Sequence, residues 1–391
     1  MINRGVADFT LDYGQCPKWL FDRMTYLGKE MVDIIIQIFG PDEFIKRISD
    51  PVWFQSLGTV LAFDWNASGL TTILTASLKQ SIKGREKDLG VFICGGKGKT
   101  SLKTPDEINN WGYRLALSKV DVNNLAYNSK MAAKIDSALI QDDYQIYHHS
   151  FFFSKNGAWA VVQQGMNIAN QSARRYHWHS ASAKDLVNEP HSGISSQKFL
   201  EKPTLNLVSH NSEKNRETSL EMVDAGYRGL IKDVGILRRH FTDLSKMATF
   251  QEKTGQLTLL KLEDKPFTTH PVVDEDFSKS KYLDKILYKV CDKKPDDYKG
   301  ILETQGVGPK TMRALSLVSE VIYGAKPSYT DPARYSFAHG GKDMIPYPVD
   351  VVTYDQTIEF FRTIIPKMKV GLSDKNKMMN NLGGIKRGKE A

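Results

Sequence analysis

The chain has 391 residues, of which 41% are hydrophobic and 25% charged, and its formal net charge is +8. These fractions are typical of a globular protein with room for two or more domains, and the positive charge favours a polyanionic partner. No apolar run reaches the roughly 18 residues that span a bilayer, and the first residues lack a signal-peptide core, so we expect a cytoplasmic protein without a membrane partner. Cys16, Cys94 and Cys291 form no CxxC pair, which argues against a disulfide framework and a thiolate zinc site.

Helices and strands alternate over the first 190 residues. Apolar residues at steps of three and four predict helices within residues 16–49, and Pro41 suits the first turn of the second one. Thr104 and Glu107 predict a capping box at the start of a further helix. Asn156-Gly157 predicts a two-residue turn in a β-hairpin. The remaining predicted elements are strands at residues 57–64 and 90–94, helices at 69–82 and 123–140, and the hairpin at 143–166.

Periodicity changes after residue 189. Residues 189–216 and 251–280 are polar and aperiodic, whereas 220–250 predict a basic helix and 281–368 a compact helical module. The sequence therefore predicts an α+β protein: an α/β-like N-terminal domain with a central β-hairpin, followed by an all-α C-terminal domain. The predicted segments are 1–190 for a catalytic domain, 191–280 for a linker with a basic helix, 281–372 for the helical domain and 373–391 for a basic disordered tail.

A glycine-rich turn lies between two predicted helices of the C-terminal domain. Gly306 and Gly308 flank Val307, and both glycines permit positive φ values and close backbone approach. Pro309 opens the second helix, whose amides and dipole would attract an anion, and Lys310 and Thr311 follow it. This stretch resembles the helix-hairpin-helix motif, which binds the DNA phosphate backbone without reading its sequence. The alternative is an ordinary glycine turn between packed helices.

A second basic loop follows the predicted strand at residues 90–94. Lys97 and Lys99 lie among glycines there, and they suit either an anion-binding loop or a surface turn. A Walker A loop would need glycine at position 93, which is Ile93, so no nucleotide cofactor is expected.

Seven polar residues lie at one end of the predicted hairpin, opposite its apolar end, or in the segment that follows it, and they could carry chemistry. In the two-residue turn register, His149 faces Gln164, and side-chain alternation places His148 and Gln163 on the opposite face. Arginines could clamp a phosphate, and a histidine could act as a general base. The alternative is a solvated sheet end with incidental histidines. The candidate catalytic residues are His148, His149, Gln163, Gln164, Arg174, Arg175 and His177.

Metal-assisted hydrolysis would need carboxylates near this cluster. Asp64 ends a predicted strand and Asp142 precedes the hairpin, so both are candidate ligands for Mg²⁺ or Mn²⁺. Their spacing matches no named nuclease signature, and Asp64 could equally cap a turn.

Helix-hairpin-helix glycosylases suggest a different catalytic site. In them a similar hairpin precedes a catalytic Asp, and here Val349-Asp350 follows the hairpin with Lys310 at the position of the lyase lysine. The forty residues between Lys310 and Asp350 are about twice the usual gap of that family. No cysteine run is present for an iron–sulfur cluster.

Nearly the whole chain, to about residue 365, is similar to one family, catalogued as domain of unknown function 763. This resemblance implies an archaeal or bacterial cytoplasmic protein and carries no established chemistry. The segments that carry it are Arg4-Gly-Val-Ala-Asp8, Asp50-Pro-Val-Trp-Phe54, Phe63-Asp-Trp65, Gly95-Gly-Lys-Gly-Lys99, Tyr147-His-His149, Gln163-Gln-Gly-Met-Asn167, Arg174-Arg-Tyr-His-Trp178, Glu189-Pro-His191 and His339-Gly-Gly-Lys-Asp343.

The residues together predict a DNA-processing enzyme associated with the nucleoid. A metal-dependent nuclease fits best, with sequence-independent backbone binding by the C-terminal hairpin and hydrolysis by the N-terminal cluster. A glycosylase or lyase using Lys310 and Asp350 and a DNA-binding scaffold without catalysis are the two alternatives. The oligomeric state stays open.

Overall fold

The computed structural model of the protein describes residues 16–61, 67–196, 200, 203–240, 247–251, 257–261, 281–336 and 351–383. The helices are α1 (Lys18–Phe39), α2 (Pro41–Ile48), α3 (Pro51–Val60), α4 (Ala67–Ile82), α5 (Glu86–Leu89), α6 (Thr104–Arg114), α7 (Lys119–Ala138), α8 (Glu213–Asp224), α9 (Tyr227–His240), α10 (Lys281–Lys293), α11 (Tyr298–Glu303), α12 (Pro309–Val321), α13 (Val351–Ile364) and α14 (Leu372–Gly383). The strands are β1 (Val91–Lys97), β2 (Ile140–Gln141), β3 (Gln145–Ser154), β4 (Trp159–Asn167), β5 (Ser172–His179), β6 (His191–Ser196), β7 (Leu205–Asn206), β8 (Met247–Gln251), β9 (Leu257–Lys261) and β10 (Tyr335–Ser336).

A six-stranded sheet forms the centre of the molecule, in the order β1-β3-β4-β5-β6-β10. Neighbouring strands are antiparallel except β6 and β10, which are parallel. The predicted α+β class is confirmed. None of the helices in the described part of the chain has both the length and the apolar character needed to traverse a bilayer.

Helices cover both faces of the sheet, so the molecule has two apolar cores. On one face, which we call the α3/α4 face, Ile93, Phe152 and Val162 pack with residues of α1–α4, α13 and α14. On the other, the α7 face, Phe92 and Phe151 pack with residues of α6–α12. Since successive side chains of a strand point to opposite faces, strands β1, β3 and β4 each contribute to both cores.

The strand predicted at residues 57–64 is wrong where the structure describes it. Residues 57–60 belong to helix α3, which begins at Pro51 because the Asp50 side chain accepts hydrogen bonds from the amides of Val52 (2.8 Å) and Trp53 (3.1 Å). Nearly every residue of α3 is buried, so its sequence shows no amphipathic period. A short apolar run of this kind does not distinguish a buried helix from a buried strand.

The predicted capping box at Thr104 is also wrong, although helix α6 begins there as expected. Lys103 occupies the N-cap position without a side-chain hydrogen bond. The Glu107 carboxylate instead accepts hydrogen bonds from the Gly95 amide (2.9 Å) and the Lys79 ammonium group (2.6 Å). Glu107 therefore ties α6 to strand β1 and helix α4.

Three regions predicted to be irregular or disordered contain a helix or a strand. Residues 189–216 include β6, which joins the central sheet, and the start of α8. The predicted disordered tail forms α14 over residues 372–383, with Met378 and Leu382 buried against α3, and residues 384–391 lie outside the description. Residues 251–280 contain strand β9 and the last residue of β8. The predicted basic helix at 220–250 consists of α8 and α9, which Gly226 separates with a φ of +100°, and its predicted last residues, 247–250, belong to strand β8 instead. Strand β6 and helix α14 are mostly polar and their few apolar residues are widely spaced, so no periodic pattern predicted them.

The predicted partition into four segments stays a prediction. Helices α10–α12 share the core of the α7 face, whereas α13 and α14 contribute to the core of the α3/α4 face.

Candidate functional site

The β3–β4 hairpin has a register one residue away from the predicted one. Its loop has three residues, 155–157, because the Ser154 amide donates to the Ala158 carbonyl (2.9 Å) and Gly157 adopts φ +93°. His149 therefore faces Gln163, and His148 faces Gln164. The predicted pairing was wrong because the Asn-Gly sequence was assigned to a two-residue turn.

His149 and Gln163 belong to a hydrogen-bonded network on the α7 face. His149 Nδ1 lies 2.7 Å from Gln163 Oε1, and its Nε2 lies 2.9 Å from Ser129 Oγ. The Gln163 amide nitrogen donates to the Ala132 carbonyl (3.1 Å), so Gln163 Oε1 is the acceptor and His149 Nδ1 carries the proton. Burial lowers the pKa of His149, although Gln163 and Asp136 oppose that shift.

Asp136 extends this network to His191. Its carboxylate accepts hydrogen bonds from Gln163, from the Trp178 indole (3.0 Å) and from His191 Nε2 (2.6 Å). The hydrogen-bonded network thus runs from Ser129 to His191, and the buried Asp136 carboxylate in it accepts from donors on β4, β5 and β6. The sequence analysis did not include Ser129 or His191 among the candidate catalytic residues, although His191 ends Glu189-Pro-His191, one of the segments that carry the family resemblance.

Arg174, on the same face, is held by two carboxylates. Its guanidinium donates to Asp142 (2.9 Å) and makes paired contacts with Asp331 (2.8 and 2.7 Å). Burial disfavours the charge, but the two carboxylates outweigh it and raise the pKa of Arg174. Asp142 also accepts from the Tyr176 hydroxyl (2.7 Å). The predicted roles of Arg174 as a phosphate clamp and of Asp142 as a metal ligand would each require this ion pair to open.

Arg175 and His177 lie on the α3/α4 face and have neutral partners. Arg175 Nε donates to His177 Nε2 (2.8 Å), and its terminal nitrogens donate to Thr71 Oγ1 (3.2 Å) and Gln55 Oε1 (3.3 Å). Burial lowers the pKa of Arg175 to about 9 and the pKa of His177 well below its usual value. Since His177 Nε2 accepts, its Nδ1 donates to the Ile48 carbonyl (3.2 Å).

His148 lies on the same face as Arg175. Its Nε2 contacts Thr75 Oγ1 (3.2 Å) and Ser150 Oγ (3.1 Å). Burial, with smaller contributions from His149 and Lys97, lowers the pKa of His148 to about 3, so the ring is neutral. Thr71 and Thr75 lie one turn apart in α4, a spacing that could have indicated a polar stripe facing the sheet.

The seven candidate catalytic residues are therefore divided between two faces, and each is at most 4% exposed. In this arrangement a substrate would not reach their reactive atoms. Lys97, in contrast, is exposed at the end of β1, where its Cα pairs with that of His148, and Lys99 is exposed in the 3-10 helix that follows, Gly98–Lys103.

The predicted metal site gains no support from the described residues. Asp142 is buried in its ion pair, and Asp64 and Asp350 lie outside the described part of the chain. Within that part, no group of three or more His, Cys, Asp and Glu residues is arranged to hold a metal ion.

The glycine turn in the C-terminal region is exposed. Helices α11 and α12 flank it as predicted, with Val307 buried as its apolar anchor. Gly306 adopts φ +95°, but Gly308 is extended at φ −153°, so only Gly306 has the predicted positive φ. Lys310 is exposed, whereas Thr311, also predicted to contact DNA, is buried.

Helix α10 packs directly against this turn. A Cβ atom at Gly306 would lie 2.4 Å from Ile286 Cδ1 and 3.1 Å from the Tyr282 hydroxyl. A Cβ atom at Gly308 would meet nothing within 4 Å. Both the positive φ and the contact with Ile286 therefore favour glycine at position 306, whereas Gly308 leaves open space at the N-terminus of α12.

These observations define an α+β protein with a central, mostly antiparallel sheet, buried polar networks on both sheet faces and an exposed glycine turn before α12. The sequence model of the family described as "Protein of unknown function (DUF763)" matches residues 5–349, and the chain belongs to this family. No curated protein and no solved structure matches the chain.

Proposed function

We propose that this protein binds DNA independently of base sequence, through phosphate contacts at the turn between α11 and α12. The observation that carries the proposal is the geometry of residues 306–310. Gly306 and Gly308 are accessible, Val307 anchors the turn in the core, and Lys310 is exposed.

The start of α12 suits an anionic group. No side chain caps this 13-residue helix, and Pro309 occupies its first turn. The first amides of a helix have no intrahelical acceptor, and the helix dipole places partial positive charge at the same end. A phosphate could approach this backbone closely at Gly308, where no Cβ intervenes, and Lys310 would add a full charge.

Binding to duplex DNA of random sequence tests the proposal. We expect the affinity to fall as salt rises, because each neutralised phosphate releases counterions. Lys310→Ala should weaken binding about equally for all sequences and reduce the salt dependence. Gly308→Ala should also weaken binding without loss of stability, since the extended backbone accepts alanine and the added Cβ meets no protein atom.

Gly371→Ala is the matched control for that substitution. Gly371 precedes α14, and a Cβ there also meets nothing within 4 Å. Equal affinity of the Gly308→Ala variant, the Lys310→Ala variant and the parent protein would show that residues 306–310 are only a packing turn.

Cleavage of the bound DNA stays a prediction, as does association with the nucleoid. Hydrolysis with Mg²⁺ or Mn²⁺ that EDTA abolishes would support a nuclease. Borohydride trapping of Lys310 on abasic DNA would support the lyase alternative instead, and binding without turnover would support the scaffold.

A further inference from the structure

One side of helix α10 combines an exposed aromatic ring with two lysines. Tyr282 is 65% exposed, and Lys285 and Lys289 are also exposed. These residues are spaced by three and four positions, so they lie along one side of the helix. We call Tyr282, Lys285 and Lys289 the Tyr282 surface.

The Tyr282 surface borders the glycine turn. The Tyr282 hydroxyl lies 3.1 Å from the position of a Cβ at Gly306, and Ile286, on the same side of α10, packs against that glycine. Further along α10, the Lys293 ammonium group lies 3.5 Å from the Gly300 carbonyl of α11. Helix α10 thus meets the turn at Tyr282 and Ile286 and reaches α11 at Lys293, so a polyanion that continued from the turn along α10 would pass its lysines.

We propose that the DNA bound here is single-stranded, with an unpaired base stacked on the Tyr282 ring while the turn and the lysines hold its phosphates. This inference rests on the proposed function and specifies its substrate class. An exposed aromatic ring beside a basic track binds unpaired bases because every base offers a π-face. In a duplex those faces are already stacked on one another, so the ring would add nothing.

Charge and ring chemistry both favour this occupant. The lysines complement a phosphate backbone, and the flat ring offers no fork of donors that would select one base. The surface therefore fits a strand of any sequence. An acidic protein would use the lysines but would leave the ring without a specific contact.

Fluorescence anisotropy with one oligonucleotide, single-stranded and then annealed to its complement at the same salt concentration, tests the inference. The single strand should bind more tightly. Tyr282→Ala should weaken single-strand binding roughly 5- to 150-fold, as expected for loss of one base–aromatic contact, and change duplex binding less than twofold. Tyr282→Phe should keep the affinity within about twofold, because stacking needs the ring and not the hydroxyl.

Tyr288→Ala is the matched control. Tyr288 lies on the same helix and is 54% exposed, but it points elsewhere and packs against the ring of Tyr227 at 5.3 Å. Its replacement should leave single-strand affinity unchanged, and thermal melting of each variant verifies folding.

Three results would separate this inference from the proposed function. Equal binding of single strand and duplex, with no effect of Tyr282→Ala, overturns the single-strand inference and leaves backbone binding by the turn intact. Loss of single-strand binding in Tyr282→Ala, with Gly308→Ala and Lys310→Ala unaffected, supports the stacking surface and contradicts the turn. No binding of either DNA form overturns both.

Discussion

Arg174 and Arg175 are neighbours in strand β5, so their side chains lie on opposite faces of the sheet, in different surroundings. On the α7 face, Arg174 contacts two carboxylates, Asp142 and Asp331. On the α3/α4 face, Arg175 donates to an imidazole, a hydroxyl and an amide oxygen. Both guanidiniums are fully buried, yet the pKa of Arg174 is raised and burial lowers the pKa of Arg175 to about 9.

This difference shows that a pair of adjacent arginines is not one functional unit. The ion pair between Arg174 and Asp331 joins residues 157 positions apart, so it fixes the segment at Asp331 to the sheet. In this arrangement its role is structural. Arg175 instead helps to order a network of neutral polar groups between β5, α3 and α4. The two faces should therefore respond differently when a polar group is removed.

Removal of the Arg174 guanidinium should have the largest effect. Arg174→Met leaves two buried carboxylates without their cation, and loss of one partner of a buried ion pair costs about 3–5 kcal/mol. Arg175→Met should cost less, about 1–3 kcal/mol, because it leaves hydrogen-bonding groups and no buried charge unpaired. Urea unfolding at pH 7 measures both free energies. An equal or larger cost for Arg175→Met would contradict the contrast between the faces.

Much of the fold could be predicted from sequence, and the reasons differ from element to element. The hairpin at β3 and β4 was recognisable because two β-rich runs flank Asn156-Gly157, and the glycine turn because its residue types match its geometry. Helix α3 was not, since burial on all sides removes the amphipathic signal. Strand β6 was not, because Ser192, Ser195 and Ser196 make a buried strand look like a loop.

The candidate site was predicted only as a set of residue types. Sequence located His149 and Gln163 in one hairpin, but the register that joins them depends on a three-residue loop. The burial of Arg174 depends on Asp331, far away along the chain, and no local pattern indicates such a partner. Their predicted catalytic role on DNA stays a prediction.

Acid should reveal a second contrast between the faces. His148 has a pKa of about 3 in the fold against 6.5 for an ordinary histidine, so the unfolded chain binds more protons between these values. Its contribution to stability is therefore complete above about pH 6.5 and is lost as the pH falls toward 3. His148→Gln should flatten the pH dependence of unfolding free energy in that window by up to about 1.4 kcal/mol per pH unit, one proton's worth.

His149→Gln provides the comparison on the opposite face. Burial also lowers the pKa of His149, but the Gln163 hydrogen bond and Asp136 act against it, so the flattening should be smaller. Urea unfolding at intervals between pH 7 and pH 4 measures both slopes. An unchanged slope in His148→Gln would mean that its pKa is not depressed in the folded protein.

Alanine substitutions at Ser195 and Ser196 should have the smallest effect on the free energy of unfolding. They test whether the two faces differ only in the charge of the groups around each arginine. Their Cα atoms pair with those of Arg175 and Arg174, and each buried hydroxyl oxygen has no hydrogen-bond partner among the described residues. A buried hydroxyl without a partner is destabilising, so alanine at either position should leave the protein equally stable or more stable by up to about 1 kcal/mol. The two substitutions should change the free energy of unfolding equally. Each removes a buried hydroxyl beside an arginine, and only the face of the sheet differs. A loss of more than about 1 kcal/mol in Ser195→Ala alone would show that its hydroxyl takes part in the Arg175 network, and the contrast between the faces would then include hydrogen bonding as well as charge.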